Sequence, residues 1–256
     1  MSDRRLTDAQ VIEFFHLAFL QVLQARLDQS RYVLKGGASL RYFFGSLRYS
    51  EDIDLDAVDI EPWKLEAKID EALKSPAIEI LLRSGGLLLD QVTKPEQTAT
   101  TQRWKPMVTV AGRRSPVHTK IEFSHRSADP RRVLEAVPER VVAPYALRPP
   151  TAVHYTADAA IEQKIAALAH RSETQARDLF DLELLLRKHP EAVTHGAIAS
   201  NTLDLAVERA FELPFQAFSD QVIRFLDPGI VELYDNPSAW GRTQTFVAER
   251  IMELRP

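Results

Sequence analysis

The fold is decided by residues 31–58, whose sequence is RYVLKGGASLRYFFGSLRYSEDIDLDAV. The pattern predicts an apolar strand over 31–35, a Gly-Gly pair, and a short aromatic helix over 38–44 that ends at Gly45. The stretch then runs into DIDLD, where three carboxylates fall within five residues of a run that otherwise resembles a buried strand. So much negative charge inside a sheet requires a physical explanation.

The alternation of a strand shows where these carboxylates point. Residues i and i+2 share a face, so Asp52, Asp54 and Asp56 point to one side, while Ile53 and Leu55 point into a core. Adjacent carboxylates repel each other, and one of them stays protonated unless a cation lies between them. Mg²⁺ removes this difficulty, since it takes oxygen ligands and keeps positions open for phosphates. The alternative is that Asp56, with or without Asp52, is simply solvated at the end of the strand.

The residues before this strand are typical of a phosphate-binding turn. Gly36 and Gly37 follow a strand, and Ser39 opens a helix. Glycines at such a turn let the backbone approach a phosphate, and the amides of a helix N-terminus favour anions. The same turn is also compatible with simple packing. Its combination with an Asp-x-Asp strand favours a triphosphate site beside a metal.

A third pattern lies in the predicted strand over residues 117–124, VHTKIEFS. Its alternation places Lys120 and Glu122 on one face. A carboxylate from a neighbouring strand is what a second metal ion, or a base for an attacking hydroxyl, requires. The alternative is an exposed Lys/Glu face on an edge strand.

The composition is that of an ordinary globular protein. The 256 residues are 45% hydrophobic and 27% charged, the net charge is −4, and there is no cysteine. A disulfide framework and a thiolate zinc site are therefore excluded. The start MSDRRLTDAQ lacks the apolar segment of a signal peptide, and no apolar run approaches membrane-spanning length. We therefore expect a cytoplasmic protein with no membrane partner, on which a local basic face remains compatible with the net charge.

The chain is predicted to contain two domains. Residues 1–150 carry the α/β pattern, and residues 151–256 are predicted to be helical, with one of the helices over 191–200. Five prolines between 130 and 150 are typical of a linker-like crossing.

Three motifs together resemble a known family. KGGASLRYFFGSLRYSEDIDL is similar to the motif I region of the AbiEii/AbiGii nucleotidyltransferase toxins, which belong to the DNA polymerase β-like nucleotidyltransferase superfamily. KIEFS, residues 120–124, resembles the element that carries the third acidic residue. EQKIAALAHRSETQARDLFDLELLL, residues 162–186, looks like the helical Lys then Arg-Asp-x-x-Asp element, whereas the last seventy residues match nothing in the family. The residues that match the family's R-x-S-x-D-x-D element are Arg48, Ser50, Asp52 and Asp54.

The helical motif has a physical interpretation of its own. Lys164 and Arg171 lie two turns apart on one helix face, and Asp178 and Asp181, at i and i+3, are neighbours on the next helix. In the functional interpretation, Lys164 binds the triphosphate, and Asp178 or Asp181 positions either Lys164 or a hydroxyl. The alternative is a salt-bridged pair of helices.

The resemblance implies a mixed α/β (α+β) nucleotidyltransferase sheet flanked by helices, followed by a C-terminal helical bundle. It also implies a Mg²⁺-dependent enzyme, with Mn²⁺ as an alternative cofactor, that transfers a nucleotide from an NTP. Such proteins are toxins of toxin–antitoxin or phage-defence systems, so we expect a tRNA 3′ end as acceptor and an antitoxin as partner. Transfer to a small molecule or to a protein side chain, and a non-catalytic nucleotide-binding module, are the alternatives.

The assignments that follow are predictions about individual side chains. The expected metal ligands are Asp52, Asp54 and Glu122. The expected catalytic residues are these three together with Lys164, Asp178 and Asp181. The expected nucleotide-binding residues are Lys35, Gly36, Gly37, Ser39, Arg48, Ser50 and Lys120. The candidate basic surface for a nucleic-acid acceptor consists of Arg103, Lys105, Arg113 and Arg114.

Overall fold

The computed structural model describes residues 6–126 and 128–256, and eight strands within them form one mixed sheet. The strands are β1 (Tyr32–Lys35), β2 (Asp52–Ala57), β3 (Leu87–Gln97), β4 (Thr101–Val110), β5 (Val117–His118), β6 (Lys120–Ser124), β7 (Arg132–Ala136) and β8 (Thr151–Tyr155). Their order across the sheet is β3-β4-β6-β2-β1-β8-β7, and β5 pairs with β4. Strand β2 therefore lies in the middle of the sheet.

The helices precede, interrupt and follow these strands. They are α1 (Asp8–Leu23), α2 (Gly36–Phe43), α3 (Pro62–Leu73), α4 (Pro76–Ser84), α5 (Glu139–Val142), α6 (Ala157–His170), α7 (Ala176–Lys188), α8 (Ser200–Glu212), α9 (Phe215–Gln221), α10 (Val231–Tyr234) and α11 (Pro237–Met252). Short 3-10 helices lie at Gln29–Arg31, Ala143–Tyr145 and Ile223–Phe225. Throughout the described residues, no helix is both long and apolar enough to cross a bilayer.

The chain divides into two compact units. The sheet unit comprises the described residues up to 43 together with those of 49–155, and the helical unit comprises 44–48 and 156–256. The predicted domain boundary at 150/151 falls immediately before β8, whereas the division into compact units falls after it.

Both parallel and antiparallel pairs occur around β2. It runs antiparallel to β1 on one side and parallel to β6 on the other. A parallel neighbour requires a long crossover connection, which the helices and strands between β2 and β6 provide. The predicted mixed sheet flanked by helices is thus confirmed.

The core of the sheet unit lies against one face of these central strands. Ile53 and Leu55 on β2, and Ile121 and Phe123 on β6, are fully buried, as the alternation predicted. Helix α1, capped by Thr7 through a reciprocal capping box with a residue of its first turn, packs into the same core and is buried almost all round. The opposite face of β2 and β6 is left for polar side chains.

The proline-rich stretch predicted to be a linker is instead part of the sheet. Strands β7 and β8 pair in antiparallel fashion across it, and β8 also pairs in parallel with β1. The prolines lie outside the two strands, since Pro138 is the N-cap of α5 and Pro149 and Pro150 directly precede β8. Because proline was read as an interruption and not as a strand boundary, both strands were missed.

Two predictions about helices also need correction. The helix predicted over residues 191–200 is absent from the described structure, and the segment closes short turns such as the one in which Ala197 N donates to Thr194 O at 3.1 Å. Helix α4, which was not predicted, begins with Pro76 after the capping side chain of Ser75. Its proline favours the first turn of a helix, so the signal was present in the sequence.

A buried carboxylate in the sheet unit ties α1 to α2, the helix that begins at the Gly-Gly pair. Glu13 on α1 accepts hydrogen bonds from Arg41 Nε at 2.8 Å and from the Tyr145 hydroxyl at 2.6 Å. Only 4% of Glu13 is exposed, so both donors are needed to compensate its charge. The last turn of α2, which carries Arg41, is therefore tied to α1 by a buried ion pair whose carboxylate is fully hydrogen-bonded.

We predict opposite effects for two buried tyrosines. Tyr145→Phe should lower the free energy of unfolding by about 1.5–3 kcal/mol, because it removes a hydrogen bond to a buried charge. Tyr32→Phe is the matched control, since the buried Tyr32 hydroxyl has no hydrogen-bond partner in the described chain and its removal should be neutral or stabilising. Urea unfolding of both variants measures the difference, and equal losses in the two would contradict the role assigned to Glu13.

Candidate active site

The predicted site residues divide between the two units, and each group is described by itself. Those in the sheet unit lie on β1, α2, β2 and β6 or directly before β2, and they are Lys35, Gly36, Gly37, Ser39, Ser50, Asp52, Asp54, Lys120 and Glu122. Those in the helical unit are Arg48, Lys164, Asp178 and Asp181.

The register of β2 and β6 brings three carboxylates together on one face. Asp52 pairs with Lys120 and Asp54 pairs with Glu122 in the parallel ladder. Residues directly opposite each other in a ladder share a face, so these four side chains form one cluster, here called the carboxylate face. The four were assigned from separate motifs, and the parallel pairing of the two strands is what unites them.

Lys120 lies between two of the carboxylates. Its Nζ is 3.1 Å from Asp52 Oδ2 and 3.2 Å from Glu122 Oε2. Burial alone lowers the pKa of Lys120, but the carboxylates of Asp52, Asp54 and Glu122 outweigh burial, and the pKa is raised. Lys120 is therefore charged at neutral pH and neutralises part of the face.

Glu122 is compensated a second time by Arg103 on β4. Arg103 Nε donates to Glu122 Oε2 at 2.9 Å, and Arg103 Nη2 lies 2.7 Å from the same oxygen. The remaining nitrogen, Nη1, lies 2.8 Å from Glu96 Oε2. Burial raises the pKa of Glu122, but Arg103 and Lys120 more than offset this and hold the pKa below its usual value. The sequence analysis assigned Arg103 to a basic surface and missed this role, because the pairing of β4 with β6 opposite Glu122 has no local signal.

Asp54 is the carboxylate that the chain leaves uncompensated. Among residues 6–126 and 128–256 its side chain has no hydrogen bond or salt bridge. Burial raises its pKa, the charge of Lys120 opposes this rise, and the charges of Asp52 and Glu122 add to it, so the pKa lies above the usual value. Negative charge at Asp54 is therefore the least stabilised on the face.

Gly36 provides the space that Asp54 occupies. It is the first residue of α2, so the helix starts two residues earlier than predicted and the Gly-Gly pair forms its first turn. Its φ of +66° is in the left-handed region, and a Cβ added there would lie 2.9 Å from Asp54 Oδ2. Ser39 is buried one turn into the same helix. A carboxylate thus lies against a helix N-terminus, at which backbone amides favour anions.

Asp56, the third acid of DIDLD, has a different role. It is buried, its Oδ1 is 2.5 Å from Lys35 Nζ, and its Oδ2 accepts from the Tyr155 hydroxyl at 2.6 Å. The alternative in which Asp56 is solvated at the end of the strand is therefore wrong. The partner Tyr155 lies on β8, one of the strands that the sequence analysis did not find. Ser50 acts locally, since its hydroxyl donates to the carbonyl of Asp52 at 2.8 Å.

The helical unit contains a second cluster of charges, here called the helical ion network. Asp178 and Asp181 on α7 are fully buried. Lys164 on α6 lies 2.7 Å from both, from Asp178 Oδ1 and from Asp181 Oδ2. Arg48 binds Asp181 through two nitrogens, at 2.9 and 2.6 Å, and Arg171 Nε is 3.0 Å from Asp178 Oδ2. The salt-bridged helix pair considered as an alternative is therefore present, and a catalytic role for these residues stays a prediction.

The network contains more cations than carboxylates. Burial raises the pKa of Asp181, but Arg48 and Lys164 more than offset this, and the pKa lies below the usual value. Asp181 is therefore ionised at neutral pH, and its burial is tolerated because Arg48 and Lys164 pair with it. Lys164 is 13% exposed, so its ammonium is held in place at the edge of a buried acidic pair.

The candidate basic surface is partly neutralised within the sheet unit. Arg103 is bound to two glutamates as described. Arg113 lies 2.6 Å from Asp8 and also donates to the carbonyl of Leu6. Lys105 and Arg114 are exposed. A role of these residues in binding nucleic acid stays a prediction.

The carboxylate face has the donor chemistry of a magnesium site. All its acidic donors are oxygens, Asp54 is unpaired, and Gly36 leaves space beside it that a Cβ would fill. As the side chains are placed, however, the described part of the chain has no group of three His, Asp or Glu side chains that could hold an ion. Asp52 and Glu122 are both engaged by Lys120. The oxygen donors of this face therefore suit a hard divalent cation, and the assignment of Asp52 and Asp54 as its ligands stays a prediction.

We predict that Gly36→Ala costs more than its backbone strain. Left-handed geometry costs a non-glycine residue about 1–2 kcal/mol, and the new Cβ would additionally press on Asp54 Oδ2. Gly86→Ala is the matched control, because its φ is +72° but the nearest atom to its Cβ is 3.9 Å away. The free energy of unfolding should fall further in Gly36→Ala than in Gly86→Ala. Equal losses in the two variants would contradict the close approach of Asp54 Oδ2 to Gly36.

Asp54→Asn and Asp181→Asn should change stability in opposite directions. The folded pKa of Asp54 is raised, so its ionisation destabilises the fold as pH rises from the ordinary value of about 3.8 through the folded pKa. Asp54→Asn should therefore be more stable than wild type at pH 7 and equal to it below pH 3.8. The folded pKa of Asp181 is lowered, so its stabilisation is complete above about pH 3.8 and is lost as pH falls through the folded pKa. Asp181→Asn should cost about 3 kcal/mol at pH 7.

Urea unfolding between pH 3 and pH 8 measures both effects. The exposed Asp90→Asn serves as the control and should change the free energy of unfolding by less than about 0.5 kcal/mol at every pH. Destabilisation of the chain by Asp54→Asn at pH 7 would contradict the electrostatics assigned to the carboxylate face.

Comparison with known proteins agrees with this architecture. No curated protein matches the chain. Two solved structures from Helicobacter pylori share the fold: JHP933, at 19% identity, covers 98% of this chain and 96% of its own with a TM-score of 0.59. A protein described as a candidate nucleotidyltransferase, at 20% identity, covers 98% of this chain and 100% of its own with a TM-score of 0.62. At such identities the similarity shows the fold alone.

The family is shown by the sequence itself. Residues 18–232 match the profile described as "Nucleotidyl transferase AbiEii toxin, Type IV TA system". The match spans most of the chain and includes β1, β2, β6, α6 and α7, which carry the carboxylate face and the helical ion network. It also covers 187–232, so the expectation that the last seventy residues match nothing in the family is wrong for that part. This chain is a nucleotidyltransferase of the AbiEii toxin family.

Proposed function

We propose that this enzyme is a Mg²⁺-dependent toxin, with Mn²⁺ as an alternative cofactor, that transfers a nucleoside monophosphate from an NTP to the 3′ end of a tRNA. The observation that carries the proposal is Asp54, an unpaired carboxylate with a raised pKa that lies against the N-terminus of α2. An unpaired carboxylate beside a helix N-terminus places a ligand for a cation and a ligand for phosphate at the same point. This arrangement supports the binding of a metal–triphosphate complex.

In this proposal, some residues of the sheet unit bind the metal ion and others bind the phosphates. Asp52 and Asp54 hold the cation, which when bound polarises the phosphates and neutralises charge on them. The first turn of α2, with Gly36, Gly37 and Ser39, binds the β- and γ-phosphates through backbone amides and a hydroxyl. Lys35 at the end of β1 adds positive charge at the entrance to that turn.

Glu122 differs from the two aspartates in its partners. The sequence analysis assigned it to completing the metal site or activating the acceptor hydroxyl. Two cations hold its carboxylate and lower its pKa, which makes it a weak base. We therefore assign Glu122 to anchoring Lys120 and Arg103 beside the nucleotide.

The transfer itself forms one bond and breaks another. The acceptor hydroxyl oxygen attacks the α-phosphorus and gives its proton to water, and the bond from that phosphorus to the leaving pyrophosphate breaks. Lys164 neutralises the charge that develops on the pyrophosphate. The buried pair Asp178 and Asp181 holds the Lys164 ammonium in one position, so it requires little reorganisation during the reaction. Arg48 keeps Asp181 compensated from the other side.

The acceptor and the partners are the less direct part of the proposal. The exposed Lys105 and Arg114 are available for phosphate contacts, which supports a nucleic-acid acceptor. A cognate antitoxin encoded with the toxin follows from the toxin–antitoxin family. We place both partners in the cytoplasm, where tRNA and NTPs are available.

Nucleotide transfer should depend on Asp54 and on Lys164. The assay incubates the purified chain with Mg²⁺, each α-labelled NTP in turn, and tRNA, total RNA, protein extract or small-molecule extract, and follows label uptake and pyrophosphate release. Asp54→Asn and Lys164→Ala should each reduce transfer at least about a hundredfold, because each removes several kcal/mol of charge stabilisation. Asp90→Asn, an exposed change on β3, should transfer at the wild-type rate.

The fraction that becomes labelled identifies the acceptor. Label in tRNA supports the proposal. Label in protein or in a small molecule would show that tRNA is not the acceptor, but the chain would still be a nucleotidyltransferase. Wild-type transfer by Asp54→Asn would remove the carboxylate face from the active site.

A further inference from the structure

Lys120 is the cation that lies within the carboxylate face. Its ammonium is within about 3 Å of an oxygen of Asp52 and of Glu122, and it also offsets the charge of Asp54. Its side chain is 26% exposed, so the ammonium is not sealed in the interior. A mobile single charge thus compensates carboxylates that were expected to hold a doubly charged ion.

A divalent cation and this ammonium compete for the same oxygen atoms. A magnesium ion binds carboxylate oxygens at about 2.0–2.1 Å and demands near-ideal geometry. While Asp52 Oδ2 is bonded to Lys120, that oxygen is not open to a magnesium ion, and two cations on one carboxylate repel each other. Lys120 therefore occupies the position between Asp52 and Glu122 that a cation shared by them would need.

We propose that Lys120 is an internal counter-cation that a divalent cation must displace, so that metal loading is an exchange of charges. This inference rests on the proposed function, because it concerns the metal of the same site. Arg103 makes the exchange feasible, since it keeps Glu122 paired after Lys120 leaves. The displaced ammonium loses its carboxylate partners and needs an anion.

A triphosphate supplies that anion. Its negative charge compensates the divalent ion and offers phosphate oxygens to the displaced Lys120 ammonium. The chain therefore binds the metal weakly by itself and strongly together with a nucleotide. The exchange of Lys120 for a metal ion reconciles two predictions about this face. Asp52 and Asp54 act as metal ligands and Lys120 binds nucleotide in the same, nucleotide-bound state of the site.

The test measures Mn²⁺ binding, independently of transfer. Free Mn²⁺ is followed by electron paramagnetic resonance during titration of the nucleotide-free chain. Lys120→Met should bind Mn²⁺ about tenfold more tightly than wild type, because a positive charge next to the ion has been removed. Lys120→Arg, which keeps the charge, and Lys64→Met, a change of an exposed lysine on α3, should bind as wild type does.

A second titration includes a non-hydrolysable NTP analogue. Wild type should gain a large factor in Mn²⁺ affinity from the analogue, and Lys120→Met should gain a clearly smaller factor, since no ammonium remains to be displaced. Thermal unfolding with and without Mn²⁺ shows whether Lys120→Met is folded, and we expect Mn²⁺ to raise its melting temperature more than that of wild type. If Lys120→Met unfolds, Lys120→Gln, which also removes the charge but keeps a polar side chain, takes its place in the comparison with wild type and Lys120→Arg.

The outcomes separate the inference from the proposed function. One outcome would overturn the inference alone. In it, Lys120→Met binds Mn²⁺ no more tightly than wild type does, although wild type binds Mn²⁺ in the presence of nucleotide and catalyses nucleotide transfer. A shift of Mn²⁺ affinity in Lys120→Arg as large as in Lys120→Met also overturns it, because shape and not charge would then be responsible. Wild type that binds no Mn²⁺ even with nucleotide overturns the metal dependence on which the inference rests.

Discussion

Repulsion among carboxylates on one face of the central strands is the constraint on which the site depends. The parallel pairing of β2 with β6 places Asp52, Asp54 and Glu122 within one cluster. Like charges at such distances destabilise the fold unless cations compensate them. Lys120 and Arg103 provide most of the compensation, and Asp54 remains outside it. The sheet thus carries a negative charge at Asp54 that has no direct partner among the described residues, and the cation of the proposed function would compensate it.

The apolar face of the same strands makes this deficit tolerable. Ile53, Leu55, Ile121 and Phe123 are fully buried against the helices of the sheet unit. Burial of side chains of this size stabilises a fold by about 1.5–3 kcal/mol each. A single raised pKa is a small loss beside that total. The alternation of the strand therefore allows one face to be optimised for stability while the other serves the chemistry.

Much of this arrangement could be predicted from local patterns, and the rest depends on pairings that the sequence does not display. The alternation in DIDLD correctly separated Ile53 and Leu55 from the carboxylates, because strand periodicity is a local property. The partner of Asp56 could not be found, since Tyr155 lies about a hundred residues away on a strand that follows two prolines. The contact of Arg103 with Glu122 was missed for the same reason, because it follows from the register of β4 against β6. The site assignments that involve transfer, metal and nucleotide stay predictions.

The two charged clusters are unbalanced in opposite senses, and this difference bears on their chemistry. In the carboxylate face, three carboxylates meet the cations of Lys120 and Arg103, which leaves an excess of negative charge. In the helical ion network, three cations meet Asp178 and Asp181, which leaves an excess of positive charge. In the proposed function, the excess of negative charge on the carboxylate face suits a cation, and the excess of positive charge in the helical ion network suits a phosphate.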